Sequence, residues 1–395
     1  MPELDIISTK NLSFSYDGKS PAISNITLGI PKGKKTVVLG PNAAGKSTLF
    51  LHFNGVLRPD SGEIFYEGKK IEYDSSSLTH LRRNVALVLQ NPDDQIFSAT
   101  VEEDVAFGPL NLSLPREEVE SRVEEALSWV GMEKSRKRPT QQLSFGQRKR
   151  VALAGALAMK PSVLIMDEPT AGLDYEMVHE LLELSDELNC LGVTVVISTH
   201  DVETTYEWAD EVRVLKSGNL MFSGRPEEFF EQGELLHDLG LMPPLAFQLN
   251  QQLHWRIGRP ERPFPKNIVE LSQKCFPIDM PKLGKIRIVC VDKVEDFEVE
   301  GRTNGKLSPT HMSSGVYGAK ARRLANEGKL DVHYRYHSLE HGLLLSSLGQ
   351  DFVLYTDSLL LNLVKSCVKE LEERTGLHIE VEVVAADQEN EQKAT

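Results

Sequence analysis

The segment that most restricts the fold of this chain is Gly40-Pro41-Asn42-Ala43-Ala44-Gly45-Lys46-Ser47. An apolar stretch, Thr36 to Leu39, precedes it, and a helix is predicted to begin at Lys46. The spacing G-x-x-x-x-G-K-S is the P-loop pattern, in which backbone N–H groups and a helix N-terminus surround the phosphates of a nucleotide. Lys46 is predicted to reach the β- and γ-phosphates, and Ser47 to coordinate Mg²⁺. A chance glycine-rich turn is the alternative, but such a turn does not require a strand before it and a helix after it.

A second segment supplies two carboxylates. Val163–Met166 is predicted to be a buried strand, and Asp167 and Glu168 follow it directly. Asp167 is predicted to hold the Mg²⁺ shell, and Glu168 to orient or deprotonate the attacking water. Because many strands end in an aspartate, this segment is informative only in a chain that also carries a P-loop.

Short apolar strands alternate with helices along the first part of the chain. Strand-type runs occur at 12–16, 23–30, 36–39, 163–166 and 193–198, and helical periodicity occurs at about 113–158 and at 175–189. This alternation predicts the α/β fold class, with a mostly parallel sheet covered by helices on both faces.

Composition excludes several classes. The net charge of −14 disfavours broad contact with nucleic acid or anionic lipid, so no nucleic-acid partner is expected. The four cysteines form no CxxC pair, which argues against a zinc site and a disulfide framework. The N-terminus does not resemble a secretory signal, and no run approaches the roughly 18 apolar residues of a membrane span. The chain is expected to serve a membrane process only from the surface, through partners.

The segment Leu143-Ser144-Phe145-Gly146-Gln147 connects these pieces to a known family. With the P-loop and the two carboxylates, it resembles the ATP-binding cassette (ABC) family over about residues 4–225. The family signature is usually LSGGQ, and Phe145 stands here in place of a Gly. The resemblance implies a P-loop ATPase with a RecA-like sheet, an antiparallel β subdomain, a helical subdomain at about 91–155 and Mg-ATP as cofactor.

The resemblance also implies that two cassettes pair head to tail. Ser144 and Gly146 of one chain would then contact the γ-phosphate held by the P-loop of a second cassette, either an identical chain or a related one. A helix N-terminus at this position suits an anion. The alternative, a plain helix cap, does not explain the spacing to Asp167 and Glu168.

Further residues are assigned by the same resemblance. Tyr16 matches the aromatic residue that stacks on adenine, Gln90 the glutamine that links the metal site to the membrane subunit, and His200 the histidine that contacts the γ-phosphate. Taken singly, Tyr16 reads equally as a strand aromatic and His200 as a strand-end cap. Asp174 ends the Ala171–Asp174 loop, which crosses the dimer interface in the family.

The complete set of implied site residues follows from these matches. The catalytic residues are Lys46, Glu168 and His200, and the Mg²⁺ residues are Ser47, Gln90 and Asp167. The nucleotide-binding residues are Tyr16, Gly40, Pro41, Asn42, Ala43, Ala44, Gly45, Lys46, Ser47, Thr48, Gln90, Ser144, Gly146 and Asp174.

Position 43 departs from the family, which usually has Gly there. If that residue requires a positive φ, Ala43 costs roughly 1 kcal/mol. A small loss of fit is expected, with function retained.

The segments 90–97 and 100–108 look like the energy-coupling-factor branch of the family, which imports vitamins, cobalt and nickel. Residues 143–152 and 198–202 resemble its cobalt and nickel members. The implied partners are a transmembrane coupling subunit and a substrate-binding membrane subunit, with the chain peripheral on the cytoplasmic side of the cell membrane. Four acidic residues near Gln90 either meet basic residues of the coupling subunit or form a solvated face: Asp93, Asp94, Glu102 and Glu103.

The expected domains are an ABC domain at 1–225, a Pro-rich linker at 226–283 and a C-terminal α/β domain at 284–388 that is regulatory or serves dimerisation. In the last, His333, His337 and His341 are four residues apart, with Glu340 and His311 nearby. One helix over 333–341 would align the three imidazoles as a Ni²⁺ or Co²⁺ site. The favoured alternative is a strand-like 332–336 followed by a helix capped at Ser338, with structural histidines.

Two rival functions follow from the same motifs. A soluble ABC ATPase acting on DNA or ribosomes would carry long coiled coils or two fused cassettes, and neither pattern is present in the sequence. A non-hydrolysing regulator would not need Lys46, Asp167, Glu168 and His200 together.

Overall fold

The computed structural model describes residues 5–275, 282–293, 302–303, 306–307 and 312–384. Its contacts divide the chain into two units. The first contains Met1–Leu181 and Leu191–Pro244, and the second contains Leu182–Cys190 and Leu245–Thr395. The predicted boundaries at 225 and 284 stay predictions.

Ten of the strands in the described residues belong to the first unit. They are β1 (Asp5–Phe14), β2 (Ile23–Pro31), β3 (Lys35–Leu39), β4 (Ser61–Tyr66), β5 (Lys69–Lys70), β6 (Val85–Val88), β7 (Val163–Met166), β8 (Thr194–Thr199), β9 (Glu211–Lys216) and β10 (Asn219–Gly224). The larger sheet has the order β10-β9-β3-β8-β7-β6, parallel except for the β9–β10 pair. The smaller sheet, β2-β1-β4-β5, is antiparallel. The predicted α/β class, with a mostly parallel sheet and an antiparallel sheet near the N-terminus, is confirmed.

The helices that begin in the first unit pack partly against the strands of the larger sheet and partly against one another. They are α1 (Lys46–Phe53), α2 (Ser75–Asn84), α3 (Val101–Asn111), α4 (Arg116–Trp129), α5 (Phe145–Leu157), α6 (Tyr175–Cys190), α7 (Val202–Trp208), α8 (Pro226–Phe230) and α9 (Gly233–Leu239). The residues of β3, β7 and β8 are nearly all fully buried, which explains why they are apolar without alternation. Helices α3, α4 and α5 contact one another within the predicted helical subdomain.

Parallel register aligns the carboxyl ends of the central strands. Leu39 of β3 pairs with Thr199 of β8, and Met166 of β7 pairs with Ile197 of β8. Residues that directly follow these strands therefore meet at one edge of the sheet, where open α/β sheets bind ligands.

The second unit is also α/β. Besides the end of α6, it contains α10 (Leu245–Ile257), α11 (Ile268–Cys275), β11 (Lys285–Cys290), β12 (Arg302–Thr303), β13 (Lys306–Leu307), β14 (Ser313–Tyr317), α12 (Ala319–Asn326), α13 (Ser338–Ser347), β15 (Phe352–Thr356), α14 (Leu361–Thr375) and β16 (Glu380–Val384). Four of its strands form a parallel sheet in the order β14-β15-β11-β16. Gly376 ends α14 in the left-handed conformation, which glycine adopts without a Cβ penalty.

The histidines of the second unit do not share a helix. α13 begins at Ser338, so His333 lies before it and His337 occupies the N-cap position with φ of 51°. The one-helix alternative for 333–341 is therefore wrong. Ser338 is the first helical residue instead of the predicted cap, and residues 332–336 form only a single bridge, at Tyr334, instead of a strand.

Candidate functional site

The turn from β3 to α1 has the shape that the P-loop pattern predicts. Gly45 has φ of 101°, and a Cβ there would lie 2.7 Å from the carbonyl oxygen of Ala22, so only glycine fits. Ala43 has φ of 61°. Position 43 therefore does require a positive φ, and an alanine in this left-handed conformation costs about 1 kcal/mol.

Lys46 is buried beneath this turn. Its ammonium lies 2.7 Å from the carbonyl oxygen of Gly40 and 3.2 Å from that of Pro41. It also lies 3.1 Å from Oε1 of Glu168, and both side chains are largely buried. The structure therefore brings the P-loop lysine and the strand-end glutamate together, although 122 positions separate them in the sequence (168 minus 46).

Ser198, near the end of β8, holds both carboxylate residues. Its hydroxyl donates to Oδ1 of Asp167 over 2.5 Å and accepts from the backbone N–H of Glu168 over 2.8 Å. Asp167 is 5% exposed, so this hydroxyl supports a carboxylate that has little water around it. Sequence reasoning missed Ser198 as a site residue. The available signal was its position two residues before His200 on a strand predicted to lie in the same sheet.

His200 completes the group. It directly follows β8, and its Nδ1 lies 3.7 Å from Oε2 of Glu168. Its side chain is 65% exposed, so it can reach a ligand at the open edge of the site. Lys46, Asp167, Glu168, Ser198 and His200 thus form one cluster.

Tyr16 lies outside the strand in which the alternation placed it. β1 ends at Phe14, and the ring of Tyr16 is 65% exposed, edge-on to Phe14 at 5.0 Å between centroids. Its hydroxyl lies 3.3 Å from Oγ1 of Thr48 on α1. An exposed aromatic ring is therefore fixed beside the P-loop helix, available to stack on a base.

Ser144 caps α5, and its hydroxyl accepts from the backbone N–H of Gln147 over 3.3 Å in a capping box. A Cβ on Gly146 would lie 2.5 Å from Cε of Met177, so glycine permits close packing against the start of α6. Asp174 caps that helix, accepting from the N–H of Met177 over 2.9 Å. Within the described residues, Ser144, Gly146 and Asp174 gather at these two helix starts rather than around Lys46.

Lys149 links α5 to the Glu168 loop and was not predicted. Its buried ammonium donates to the carbonyl oxygens of Glu168, Pro169 and Ala171 over 3.3, 3.0 and 2.7 Å. Burial lowers the pKa of Lys149 to about 8, while the carboxylate of Glu168 acts in the opposite direction.

Gln90 is exposed just after β6. Of the four acidic residues near it, Asp93 pairs with Arg148 over 2.7 Å, Glu102 pairs with Arg136 over 2.7 Å, and Glu103 completes a capping box with Thr100. These three carboxylates therefore have partners within the chain.

Two exposed aromatic rings lie beside that acidic segment. Phe97 and Phe107 are 65% and 47% exposed, and their centroids are 4.6 Å apart in an edge-to-face contact. Leu110 on the same helix as Phe107 is also exposed. An apolar patch of this kind commonly marks a protein interface.

The histidines of the second unit have structural contacts. His333 Nδ1 lies 3.2 Å from the N–H of Ser314, and the ring of His341 stacks on Tyr334 at 4.3 Å. In the part of the chain that the structure describes, no group of three or more His, Cys, Asp or Glu side chains is placed to hold a metal ion. His311 lies outside the described residues.

Comparison with known proteins identifies the family. Residues 23–171 match the family model described as ABC transporter. The chain is 48% identical over 281 residues to the energy-coupling factor transporter ATP-binding protein EcfA of Methanocaldococcus jannaschii, a match that covers 68% of this chain and 99% of that protein. The chain belongs to the ABC transporter family.

Two further matches refine this position. The energy-coupling factor transporter ATP-binding protein EcfA2 of Methanospirillum hungatei is 38% identical over 359 residues, which covers 89% of each chain and therefore extends into the second unit. The solved structure of CbiO1 from Clostridium perfringens, part of the ABC transporter complex cbiONQ, is 40% identical, with a TM-score of 0.54 over 65% of this chain and 97% of that one. The predicted membership of the energy-coupling-factor branch is confirmed, and the chain is an ABC ATPase.

Among the described residues, none of the helices combines the length and the apolar character needed to cross a bilayer.

Proposed function

We propose that this ABC ATPase energises import of a small ligand, a cobalt or nickel ion or a vitamin, through membrane partner subunits. The observation that carries the ATPase chemistry is the cluster of Lys46, Asp167, Glu168 and His200 at the carboxyl edge of the parallel sheet. Import and its ligand class are supported by the energy-coupling factor names of the relatives and by CbiO1, which is part of a transporter complex.

Each residue of the cluster has a role that its surroundings suit. Lys46 would stabilise charge on the β- and γ-phosphates, because its ammonium faces the P-loop turn. Glu168 would orient and deprotonate the attacking water, and His200 would contact the γ-phosphate from the exposed rim. Tyr16 would stack on adenine.

Mg²⁺ fits the donor set beside the phosphates. Ser47 is an exposed residue at the start of α1, and Asp167 offers a buried carboxylate. A hydroxyl and a carboxylate are hard oxygen donors of the kind that Mg²⁺ prefers. The family resemblance adds Gln90 to the residues that would hold the ion, which when bound would neutralise charge on the β- and γ-phosphate oxygens.

We propose a pair of cassettes as the working unit. The sequence has one P-loop and one signature segment, and the exposed N-terminus of α5 at Ser144 is suited to contact an anion on a second cassette. Gly146 and Asp174 lie at the same surface. The second cassette is an identical chain or a related one.

The patch of Phe97, Phe107 and Leu110 is the proposed docking surface for the transmembrane coupling subunit. It follows Gln90 in the chain and exposes apolar rings among carboxylates that already have internal partners. The chain would thus lie on the cytoplasmic side of the membrane, held there by its partners.

Pull-down from solubilised native membranes tests this assignment. Tagged protein should recover a transmembrane coupling subunit and a small substrate-binding membrane protein, and Phe97→Ser with Phe107→Ser should lose both while still binding ATP. Val56→Ser removes an apolar side chain that is 52% exposed elsewhere in the first unit and is the matched control. Recovery of ribosomal or DNA-bound proteins without a membrane partner would instead support a soluble ABC ATPase.

The ligand requires a transport measurement. Vesicles that contain the recovered complex should take up radiolabelled Co²⁺ or Ni²⁺ when ATP is supplied on the side that carries this chain. Uptake of a vitamin in place of the metal ions would retain the importer assignment and correct the ligand. No ATP-dependent uptake of either would refute the import function.

For the second unit we propose regulation of the ATPase. What supports it is that this unit includes Leu182–Cys190, the end of α6, and α6 begins directly after Asp174. Within the unit, Glu183 forms a buried ion pair with Arg322 of α12. A helix held at one end is a physical route between the second unit and the loop at 171–174.

Charge reversal tests this regulatory role. Glu183→Arg and Arg322→Glu, each alone, should change the kcat of ATP hydrolysis by about threefold or more, and the double variant should return towards wild type. Reversal of the exposed Lys369–Glu373 pair of α14 is the control. Wild-type kcat in both single variants would refute regulation through α6 and favour a dimerisation module.

A further inference from the structure

Lys149 is a buried charge whose hydrogen bonds all go to one loop. It is the fifth residue of α5 and is 8% exposed. An ammonium has three donors, and the carbonyl oxygens of Glu168, Pro169 and Ala171 supply three acceptors. Lysine is seldom buried without such partners, because an unpaired ammonium in the interior is costly. These contacts therefore fix the backbone of the loop that follows Asp167.

The backbone of Glu168 needs support of this kind. Its φ of 41° lies in the left-handed region, which costs a residue with a side chain roughly 1–2 kcal/mol. Such conformations persist where neighbouring groups hold them. The hydroxyl of Ser198 accepts from the N–H of Glu168, and Lys149 donates to its carbonyl oxygen. The backbone N–H and the carbonyl oxygen of Glu168 are thus each hydrogen-bonded by a side chain from another element.

This backbone conformation directs the side chain of Glu168. From it, the carboxylate reaches Lys46 at 3.1 Å and His200 at 3.7 Å. A residue in another backbone region would point its side chain elsewhere. The position of the carboxylate thus depends on the two groups, Ser198 and Lys149, that hold the backbone.

The unusual Phe145 of the signature segment belongs to the same arrangement. The ammonium of Lys149 lies 5.4 Å from the centre of the Phe145 ring, within the range of a cation–π contact. A Cβ on Gly172 would lie 3.1 Å from that ring, so the ring lies directly against the loop. Phe145 therefore covers the ammonium and the loop from the side of α5.

We infer that Lys149 is a positioning residue, which holds the backbone of 168–171 so that the Glu168 carboxylate faces the site, and which joins that loop to the helix begun by Ser144. The inference rests on the proposed role of Glu168 in hydrolysis. Lys149 contacts the reacting groups only through the loop, so its loss should change turnover without changing the affinity for nucleotide.

Two substitutions in the full-length protein separate hydrogen bonding from packing. Lys149→Met keeps an unbranched side chain of similar length but has no donor, whereas Lys149→Gln keeps two N–H donors. Lys149→Met should lower kcat by about tenfold to a hundredfold, the size of effect expected from a small misplacement of a catalytic group. Lys149→Gln should lose less, and both should bind a fluorescent ATP analogue as the wild type does. Lys160→Met, at a lysine exposed after α5, is the control.

A double variant tests whether Lys149 acts through Glu168. In a Glu168→Gln background, Lys149→Met should cause no further loss, because the group it positions has already been removed. Losses that multiply would overturn the inference, as would wild-type kcat in Lys149→Met. Equal losses of kcat, affinity and thermal stability in the Met and Gln variants would show a purely structural residue and would also overturn it. If Glu168→Gln alone retains turnover, the role of Glu168 itself fails, which is a separate result.

Discussion

Replacement of Glu168 by glutamine should reduce hydrolysis to a small residual rate and strengthen ATP binding at the same time. Loss of a positioned general base commonly lowers kcat by about 10²–10⁴-fold. The effect on binding comes from Lys46, whose buried ammonium lies 3.1 Å from the Glu168 carboxylate. In the proposed mechanism that same ammonium binds the phosphates of ATP, so the carboxylate and the nucleotide would compete for it.

The size of the competing effect can be bounded from the contacts. Two unit charges 4 Å apart attract by about 4 kcal/mol at an effective dielectric of 20, but desolvation of a buried pair cancels much of that attraction. Lys46 also keeps two carbonyl acceptors, those of Gly40 and Pro41, when the carboxylate is gone. The free energy of unfolding of the ATP-free variant is therefore expected to be lower by about 1–3 kcal/mol, as for the loss of a hydrogen bond to a charged group. When the phosphates of ATP replace the lost carboxylate, this stability should return as binding free energy. Each 1.4 kcal/mol that returns, roughly, is a tenfold gain in affinity.

Three assays check these expectations. Phosphate release measures kcat, equilibrium binding of a fluorescent ATP analogue measures affinity, and thermal unfolding with and without ATP measures the recovered stability, which should be larger in the variant. Glu63→Gln removes a carboxylate from an exposed pair with Lys70 and should leave all three unchanged. Wild-type hydrolysis by Glu168→Gln would refute the assigned role, and weaker ATP binding would refute the competition for Lys46.

Three further predictions follow from single contacts. Ser198→Ala removes the donor to Asp167 and the acceptor for the Glu168 N–H, so kcat should fall about tenfold or more with the fold retained, and phosphate release with circular dichroism checks it. Ala43→Gly removes the backbone strain of an alanine in the left-handed conformation. It should raise the free energy of unfolding, measured by thermal unfolding, by up to about 1 kcal/mol with ATP hydrolysis retained. A lower stability would contradict the strain argument. Burial raises the pKa of Glu187, in the second unit, from 4.5 to about 8. The folded state therefore binds the proton more tightly than the unfolded state, and the stability of that unit should fall as pH rises from about 4.5 to about 8. Glu187→Gln should remove this dependence in hydrogen exchange of β11 and β15, and an unchanged slope would show that the carboxyl is not the cause.

The sequence by itself determined the local chemistry of the site. The P-loop, the strand that precedes Asp167 and the helix that begins at Lys46 each follow from a few adjacent residues, because turn geometry, strand burial and helix starts are set by near neighbours. Lys46, Asp167 and Glu168 could be named on that basis, and His200 only through the family resemblance. The sequence predicted the fold class but not the order of the strands, since the alternation of strands and helices predicts a parallel sheet without its order or register.

Contacts between distant residues were decided only by the tertiary structure. Ser198 became a support for Asp167 and Glu168 because parallel pairing sets β7 beside β8. Lys149 became part of the site because helix α5 places it under a loop about twenty residues further on. Asp93 and Glu102 looked like surface charges in the sequence, and the fold gave each an arginine partner.

The histidines of the second unit show that residue spacing alone does not predict which side chains share a helical face. Their four-residue spacing is compatible with one helical face, but φ of 51° at His337 starts the helix later and separates His333 from the rest. Spacing describes a face only where the backbone is regular, and whether it is regular depends on packing from the rest of the chain. The sequence therefore determines which groups are available, and the tertiary structure decides which of them meet.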